Sequence, residues 1–356
     1  MSSRADRLVE QLPDLGADLL VVTSLVNVRY LTGFTGSNGL VLVGPDTRAF
    51  VTDFRYVEQS AAQVDPAFDR ITAPELLDTI PDLLPSGTAR LAFEDAHVTV
   101  RSHARLRELV NDGIELVAGG DLVEALRAVK DAEEIRRIAE AAKLADAALR
   151  QIMGRGLVGR TEVSVATDLE RTMRDLGAQR PSFAPIVAAG PHGALPHAEP
   201  RDVEIGPDEL VVIDWGTELD GYCSDCTRTL STGELADATL QAYDLVREAQ
   251  LAGLAALKAG VSGRDVDAAA RQVIHGAGHA EHFGHGLGHG VGLEIHEAPR
   301  LSQRSDSVLA TGNVVTVEPG VYLPGQFGVR IEDLVVVTET ACDILTSVPK
   351  ELITVG

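Results

Sequence analysis

The sequence predicts a small α/β domain followed by a larger α+β domain. Two observations lead to this prediction. In the first third of the chain, short runs of β-branched residues alternate with helical stretches, which is the rhythm of an α/β domain. Beyond a charged amphipathic segment, helices are separated by pairs of strands, with a turn signal at Asp220-Gly221. We therefore assign residues 1–126 to the first domain and residues 127–356 to the second.

Each element of this scheme depends on a local pattern. Residues 18–34, 48–60 and 89–100 carry the β-branched runs of the first domain. In residues 124–153, apolar side chains recur at helical spacing, and Asp131 stands where an N-cap would begin the first long helix of the second domain. This helical segment therefore marks the boundary between the domains.

Composition excludes several classes of protein. The 356 residues carry a formal net charge of −22, which would repel nucleic acid and anionic membranes. No apolar run approaches ~18 residues, so we expect no transmembrane helix, and the charged N-terminus lacks the apolar core of a signal peptide. The three cysteines fit a reducing compartment. We therefore expect a cytoplasmic protein that binds neither nucleic acid nor membranes.

Two acidic residues lie near the predicted turn at Asp220-Gly221. With a hairpin there, Asp214 and Asp225 come roughly opposite each other on adjacent strands, about 4.5–5.5 Å apart. Carboxylates this close repel each other unless a cation lies between them or one is protonated. Two acids near a hairpin are also common on a solvated surface. The apolar run before Asp214 favours a buried position instead, where an unpaired carboxylate is costly.

Cys223 and Cys226 flank Asp225 as a C-x-x-C motif. A shared zinc or redox site is one interpretation, but residues three apart on a strand point to opposite faces of the sheet. No second C-x-x-C motif is present in the sequence. Packing of two small side chains in the sheet is therefore the stronger interpretation.

A second pair of acids lies near the C-terminus, in two predicted strands joined by a turn at Pro324-Gly325. Glu318 ends an apolar run just before a proline, which stops strand pairing. Arg330 and Glu332 are two residues apart, so they face the same side of the following strand. These two residues could form a salt bridge with each other, or the acids could ligate a metal ion.

Six of the chain's 10 histidines lie between residues 275 and 296, among several glycines. Neither a phosphate-binding fingerprint nor an HExxH motif is present there. The glycines disfavour a regular helix and let the backbone approach a crowded site closely. Four carboxylates with one neutral imidazole would balance two divalent cations, for which manganese, cobalt or zinc is suited. A dinuclear centre of this kind typically serves hydrolysis.

The motifs that follow Asp214, in the order DGYCSDCTRT, HFGHGLGHGVGLEIHEAP, TVEPGVY and GVRIED, strongly resemble those of the pita-bread metallopeptidases. Within that family they are most similar to the prolidase and aminopeptidase P branch, which cleaves peptide bonds preceding proline. NVRYLTGFTGSNG and TDFRY resemble the N-terminal domain of that branch. The resemblance covers almost the whole chain. It implies an α/β creatinase-like N-terminal domain followed by an α+β pita-bread catalytic domain.

The resemblance also implies roles for individual residues. The cofactors would be two divalent metal ions, with manganese expected first and cobalt or zinc as alternatives. The implied metal ligands are Asp214, Asp225, His289, Glu318 and Glu332. The implied catalytic and substrate-site residues are His197, His285, His296, Glu318 and Arg330. No role is implied for His275, His279 or His282.

The implied reaction is metal-assisted hydrolysis of short proline-containing peptides. Glu318 would accept a proton from the attacking water, and His285 or His296 would stabilise the oxyanion. An X-Pro bond lacks an N–H, so a general peptidase loses a hydrogen bond there. The alternatives are a methionine-aminopeptidase-like or other metalloaminopeptidase of the same fold, and a non-catalytic creatinase-fold binding protein. The choice between Xaa-Pro dipeptides and longer peptides stays open.

The resemblance further implies a homodimer, in which the N-terminal domain of one subunit limits access to the active site of the other. The expected mass is about twice the 37.7 kDa of the chain. Phe54, Arg55 and Tyr56 are of residue types enriched in interface cores. Ordinary packing at the end of a strand would explain them equally well.

Overall fold

The computed structural model describes residues 3–356, and the chain divides into two compact units, one ending at Arg127 and the other beginning at Ala128. The strands of the first unit are β1 (Leu19–Val22), β2 (Leu40–Gly44), β3 (Thr47–Thr52), β4 (Asp69–Thr72), β5 (Arg90–Phe93) and β6 (Glu115–Ala118). Its helices are α1 (Arg4–Val9), α2 (Leu25–Thr32), α3 (Val57–Gln63), α4 (Ile80–Leu83), α5 (Val100–Leu109) and α6 (Leu122–Ala128).

One mixed sheet organises the first unit, with strand order β4-β3-β2-β1-β5-β6. The outer pairs β3–β4 and β5–β6 are parallel, as is β1–β5, whereas β1–β2 and β2–β3 are antiparallel. The antiparallel pair β2–β3 arises because only Pro45 and Asp46 separate the two strands, which is too short for a crossover. The predicted α/β character of this unit is confirmed.

The second unit contains the helices α7 (Ala132–Arg155), α8 (Glu162–Asp175), α9 (Asp237–Ala256) and α10 (Gly263–Gly276). Its first strands are β7 (Arg180–Pro181), β8 (Ile186–Ala189), β9 (Leu210–Trp215), β10 (Thr217–Leu219), β11 (Tyr222–Cys223) and β12 (Cys226–Ser231). The later strands are β13 (Gly288–Gly290), β14 (Glu297–Leu301), β15 (Val314–Val317), β16 (Gly320–Leu323), β17 (Phe327–Arg330), β18 (Asp333–Val337) and β19 (Cys342–Ile344).

Helix α7 begins where the sequence predicts. The Asp131 side chain accepts a hydrogen bond from the Glu134 backbone N–H, and the Glu134 side chain accepts one from the Asp131 N–H, so the two form a capping box. Ile138, Ala142 and Leu149 lie on the buried face of the helix. Among residues 3–356, no helix is both long and apolar enough to cross a membrane.

Two hydrophobic layers enclose the strands of the second unit. Helices α7 and α8 pack on β8, β9 and β12, with Leu149, Leu169 and Trp215 in that core. Helices α9 and α10 pack on β15, β17 and β18, with Val246 and Val335 in the other. Because helices cover these strands, a charged side chain on them needs a partner or a cation.

The hairpin at Asp220-Gly221 has a register that differs from the prediction. Both turn residues have positive φ, 49° and 80°, and Leu219 pairs with Tyr222 across a two-residue turn. This register pairs Asp214 with Thr227. The expectation that Asp214 lies opposite Asp225 is therefore wrong. Asp225 directly precedes Cys226, which pairs with Trp215, so Asp214 and Asp225 are diagonal neighbours across the hairpin.

The same hairpin is divided into two sheets at Gly216. Strands β9 and β12 pair on one side of this glycine, and β10 and β11 pair on the other. A Cβ at Gly216 would lie 1.9 Å from the Ser224 carbonyl oxygen, so only glycine allows the two chains to approach here. The division leaves Asp225 in the gap between β11 and β12.

The predicted C-terminal strand pair is also interrupted. Strand β15 pairs with β18, whereas β16 pairs with β17 in a separate two-stranded sheet. The interruptions fall at Glu318-Pro319 and at Ile331-Glu332. The predicted stop in strand pairing at Pro319 is confirmed, because proline cannot donate to a ladder. The break at Ile331-Glu332 on the other strand was not predicted. Both acids lie where regular pairing stops.

Candidate metal centre and active site

All of the side chains that the sequence assigns to the site line one cavity of about 640 Å³ in the second unit. They come from distant parts of the chain, and in order they are His197, Asp214, Asp225, His285, His289, His296, Glu318, Arg330 and Glu332. The structure therefore brings together every residue of the proposed site. His275, His279 and His282, which were given no role, are not among the residues that line this cavity.

His289 is oriented as a ligand for a cation. Its Nδ1–H donates to the Gly290 carbonyl oxygen at 3.0 Å, which leaves the lone pair of Nε2 free. Nε2 lies 3.6 Å from Asp225 Oδ2 and 3.4 Å from Glu318 Oε1. Ligand atoms of Asp225, His289 and Glu332 all lie within 4.8 Å of one another. Burial lowers the pKa of His289 to about 3, so the imidazole is neutral, as metal binding requires.

The carboxylates around His289 repel one another. Burial, followed by the charge of Glu332, raises the pKa of Asp225 well above its usual value. Burial and the charge of Glu318 do the same to the pKa of Glu332. Burial also raises the pKa of Glu318 to about 7. Without a cation, this group therefore holds protons that solvent-exposed carboxyls would release.

The residues present fit a pair of divalent cations. Among residues 3–356, Asp214 Oδ1 is buried and has no hydrogen-bond partner, although its second oxygen accepts from Arg330. A buried, unpartnered carboxylate oxygen at the edge of an acidic group is a position that a cation would satisfy. Four carboxylates and one imidazole are ligands suited to manganese, cobalt or zinc.

Two threonines hold the acidic side chains in place. Thr227 Oγ1 donates to Glu332 Oε2 at 2.7 Å. Thr316 Oγ1 donates to Glu318 Oε1 at 3.0 Å and accepts a hydrogen bond from the His289 backbone N–H. Each hydroxyl therefore fixes the position of one carboxylate oxygen. No sequence pattern indicates either threonine, although each lies two positions from a proposed ligand.

Arg330 pairs with an acid other than the expected one. Its Nη2 donates to Asp214 Oδ2 at 2.7 Å, so the alternative of a salt bridge between Arg330 and Glu332 is wrong. Nε donates to Thr227 Oγ1 at 3.0 Å, and Nη1 donates to the Tyr322 hydroxyl at 2.9 Å. Because Arg330 is buried, these contacts fix the guanidinium group at the base of the cavity.

His285 is held by hydrogen bonds at both ring nitrogens. Nδ1 lies 2.8 Å from the Gly286 carbonyl oxygen, to which it donates. Nε2 therefore carries a lone pair, and the Tyr322 hydroxyl 3.0 Å away donates to it. Burial lowers the pKa of His285 to about 4, which agrees with a neutral ring. Tyr322, in the TVEPGVY motif, thus connects His285 to Arg330, a link that no sequence pattern indicated.

His197 and His296 differ from His285 because both are exposed in the cavity. Neither forms a hydrogen bond with another residue in the described part of the chain. The ring of His296 lies edge-on to that of His289, with 4.4 Å between centroids. Two imidazoles with free nitrogens therefore face the space beside the acidic group.

The two cysteines of the C-x-x-C motif lie in different hydrophobic clusters, Cys226 with Trp215 and Cys223 with Ile138. Burial raises the pKa of both thiols. A protonated thiol is a poor metal ligand, and these two side chains face separate layers. The structure therefore favours packing for both residues.

Comparisons with known proteins agree with this geometry. The profile of the Metallopeptidase family M24 matches residues 136–339, and that of the Creatinase/Prolidase N-terminal domain matches residues 4–129. The Xaa-Pro dipeptidase of Pyrococcus furiosus is 34% identical over 360 residues, covering 99% of this chain and 100% of that protein.

Two solved structures are similar along their whole length. An Xaa-Pro dipeptidase from Bacillus anthracis superposes with a TM-score of 0.95 at 41% identity, covering 99% of each chain. An X-Pro aminopeptidase from Thermotoga maritima superposes with a TM-score of 0.91 at 35% identity, covering 99% of this chain and 100% of that one. The predicted fold, a creatinase-like domain followed by a pita-bread catalytic domain, is confirmed.

Proposed function

The chain belongs to metallopeptidase family M24, and from this premise we propose that it is a dinuclear metallopeptidase that cleaves Xaa-Pro dipeptides. The observation that carries the dipeptide preference is the position of Arg300 in the cavity. Arg300 pairs with His289 between β14 and β13, so its side chain starts from the same face of the sheet as a proposed metal ligand.

Arg300 is chemically different from the other cavity arginine. Arg330 is neutralised by Asp214, whereas Arg300 forms no hydrogen bond or ion pair with a side chain in residues 3–356. In a dipeptide, the free carboxylate lies only one residue beyond the scissile bond. A guanidinium beside the metal centre suits that carboxylate. In a longer peptide, an uncharged amide replaces the carboxylate at this position.

Replacing Arg300 by methionine is expected to raise KM for an Xaa-Pro dipeptide by about 10- to 100-fold, the scale of one lost charged hydrogen bond. Cleavage of an Xaa-Pro-Xaa peptide should change little. Steady-state kinetics on the two substrates would measure the difference. Arg304→Met is the matched control, because Arg304 is exposed and lies outside the cavity lining. Equal losses on both substrates would favour an X-Pro aminopeptidase instead.

The chain's own residues divide the catalytic work. Two divalent cations, when bound by Asp214, Asp225, His289, Glu318 and Glu332, supply Lewis acidity and a positive field. Glu318 accepts the proton of the attacking water, and the proline nitrogen takes up a proton as the peptide C–N bond breaks. His285 is engaged by Tyr322 and Gly286, so donation to the developing oxyanion falls to an exposed imidazole, His296. His197, which also lines the cavity, contacts the substrate.

The protein is also proposed to form a homodimer. Phe54 is 81% exposed, and Val57, one turn away, is 46% exposed, so packing at a strand end does not account for Phe54. Asp53 holds Arg55 with two hydrogen bonds of 2.9 and 2.7 Å, which orders this exposed segment. An ordered apolar protrusion of this kind is typical of a protein interface.

Light scattering is expected to give a mass of about twice 37.7 kDa at micromolar concentration. Phe54→Asp should shift the protein toward the monomer, because a charge would be buried in the interface. Val100→Asp is the control, since Val100 is 88% exposed on a helix of the same unit. A monomeric wild-type protein with full peptidase activity would contradict the dimer and leave the catalytic assignment intact.

A further inference from the structure

One wall of the cavity is a single irregular segment between Ala189 and Arg201. It contains a short 3₁₀ helix, Gly190–Ala194, and then runs without regular structure. Five consecutive residues of this segment line the cavity, from Pro196 to Pro200, and His197 is among them. A segment without strand or helix pairing cannot fix His197 by itself. Its position therefore depends on contacts with the rest of the unit.

The buried carboxylate of Glu162 contacts both ends of this segment. Glu162 is the first residue of α8 and is 0% exposed. Its Oε1 accepts from the Ala189 backbone N–H at 2.9 Å, at the start of the segment. Its Oε2 accepts from the Arg201 backbone N–H at 2.9 Å, at the end. One carboxylate thus closes the segment into a loop.

Side chains of the segment add to this closure. The Arg201 guanidinium donates to both Glu162 oxygens, from Nε at 3.1 Å and from Nη2 at 3.0 Å. The His192 ring places Nδ1 2.9 Å from Oε2. Burial alone would raise the pKa of Glu162, but the hydrogen bonds from Arg201 and Ala189 outweigh it and lower the pKa, so the group stays ionised.

The middle of the segment is fixed from the metal side. Arg330 Nη1 donates to the Pro196 carbonyl oxygen at 3.1 Å, next to His197. The backbone of the segment also touches β17, where a Cβ at Gly328 would lie 1.8 Å from the Gly193 carbonyl oxygen. Glu162 therefore holds both ends of the loop by hydrogen bonds, and contacts with β17 hold its centre.

We propose that Glu162 is a positioning residue for the peptidase reaction, which sets the place of His197 by closing the 189–201 segment through Arg201, His192 and two backbone N–H groups. Glu162 does not line the cavity and does not touch the substrate. The inference rests on the proposed function, because it takes His197 to be a substrate contact. It adds a second requirement for activity that lies outside the metal centre.

Glu162→Gln tests the charge and the acceptor capacity of the carboxylate. An amide keeps one oxygen but turns an NH₂ toward the N–H donors of Arg201 or Ala189, so at least one closure bond is lost. In the manganese-loaded protein, kcat/KM is expected to fall by about 10- to 100-fold, the scale of a catalytic group displaced by about 1 Å. Metal content and metal affinity, measured by elemental analysis and calorimetry, should stay at the wild-type values.

Asp168→Asn is the matched control on the same helix. Asp168 accepts from Arg155 at 2.6 Å and from Arg160 at 2.8 Å, and it has no contact with the 189–201 segment. This variant loses a comparable pair of charged hydrogen bonds, yet kcat/KM should stay within about twofold of wild type. An equal loss of activity in Asp168→Asn would overturn the proposal, because any weakening of the helix would then suffice.

Arg201→Gln provides a second variant in case Glu162→Gln folds poorly. The Arg201 side chain is 46% exposed, so its truncation leaves no buried cavity. The backbone N–H of residue 201 still reaches Glu162, so the expected loss in kcat/KM is smaller than for Glu162→Gln and in the same direction. The proposal would be overturned if Arg201→Gln left kcat/KM unchanged and also left the hydrogen-exchange rates of the backbone amides in residues 190–200 unchanged.

A double-mutant cycle decides whether Glu162 acts through His197. If it does, Glu162→Gln should lower kcat/KM by no more than about twofold when His197 is already alanine. Fully multiplicative losses would overturn the proposal. Hydrogen exchange supplies a readout that does not depend on catalysis: amides of residues 190–200 should exchange faster in Glu162→Gln than in Asp168→Asn, and equal rates would contradict the closure.

Failure of the proposed function and failure of the positioning role of Glu162 would give different results. If His197→Ala retains full activity, the proposed role of His197 in peptide hydrolysis is wrong, whatever the exchange data show. If His197→Ala is inactive while Glu162→Gln is fully active, the proposed function stands and the positioning role of Glu162 is wrong.

Discussion

Removal of divalent metal ions is expected to abolish hydrolysis of Xaa-Pro substrates, and addition of Mn²⁺ or Co²⁺ is expected to restore it. The reason is the group of buried acids around His289, whose ligand atoms converge within 4.8 Å. Without cations, burial and then the charges of neighbouring carboxylates raise the pKa values of Asp225 and Glu332. The measurement is activity after chelation and dialysis, with metal content followed by elemental analysis.

The same account predicts that metal binding stabilises the fold. Cations bind only where the ligands are assembled, so loading should raise Tm. Asp225→Asn removes one charge from the centre of the group, and it should lower metal occupancy as well as the gain in Tm. Asp343→Asn is a suitable comparison, because Asp343 is exposed and lies outside the cavity lining. Full hydrolysis by a sample shown to be metal-free would refute the metal requirement.

The second large effect is expected from His289→Ala and His296→Ala, which should fail in different ways. His289 presents a free Nε2 lone pair to two carboxylates, so its loss should lower metal content. His296 has no hydrogen bond with the described residues and faces the cavity, so its loss should leave metal content near normal. Turnover of His296→Ala should fall by roughly 10²-fold or more, the effect of losing one oxyanion donor.

Elemental analysis and steady-state kinetics on both variants provide the comparison. The ring centroids of His289 and His296 lie 4.4 Å apart, so both variants lose the same ring-to-ring contact. Each variant is therefore a control for the other. Equal metal loss in the two variants would show that the division into a ligand histidine and a substrate histidine is wrong.

The sequence predicted which residues line the site, but it did not predict the strand pairing and the hydrogen bonds that position them. Buried acids at the ends of apolar runs, such as Asp214 and Glu318, indicated a cation site because an unpaired buried carboxylate is costly. The individual roles came from the resemblance to a known family. The pairing across the hairpin at Asp220-Gly221 was predicted incorrectly: Asp214 pairs with Thr227, two residues beyond the expected Asp225, because the turn contains only two residues, both of positive φ.

Contacts between distant parts of the chain were the hardest to predict. Thr227, Tyr322 and Glu162 act through side chains that lie up to 105 residues away, as in the hydrogen bond from Thr227 to Glu332. Threonine, tyrosine and glutamate at these positions have no pattern that separates them from ordinary core or surface residues. Their contacts depend on where the elements around them begin and end. The interruption of the strand beside Glu318, for example, depends on a single proline.

The central claim is metal-dependent cleavage before proline in dipeptides. Its most direct test is the kcat/KM of the manganese-loaded protein on three matched substrates: an Xaa-Pro dipeptide, the Xaa-Ala dipeptide with the same first residue, and the corresponding Xaa-Pro-Xaa peptide. The account predicts that Xaa-Pro is cleaved best, that Xaa-Ala is cleaved poorly, and that chelation stops both reactions. Equal cleavage of Xaa-Ala and Xaa-Pro, or undiminished cleavage after chelation, would contradict it.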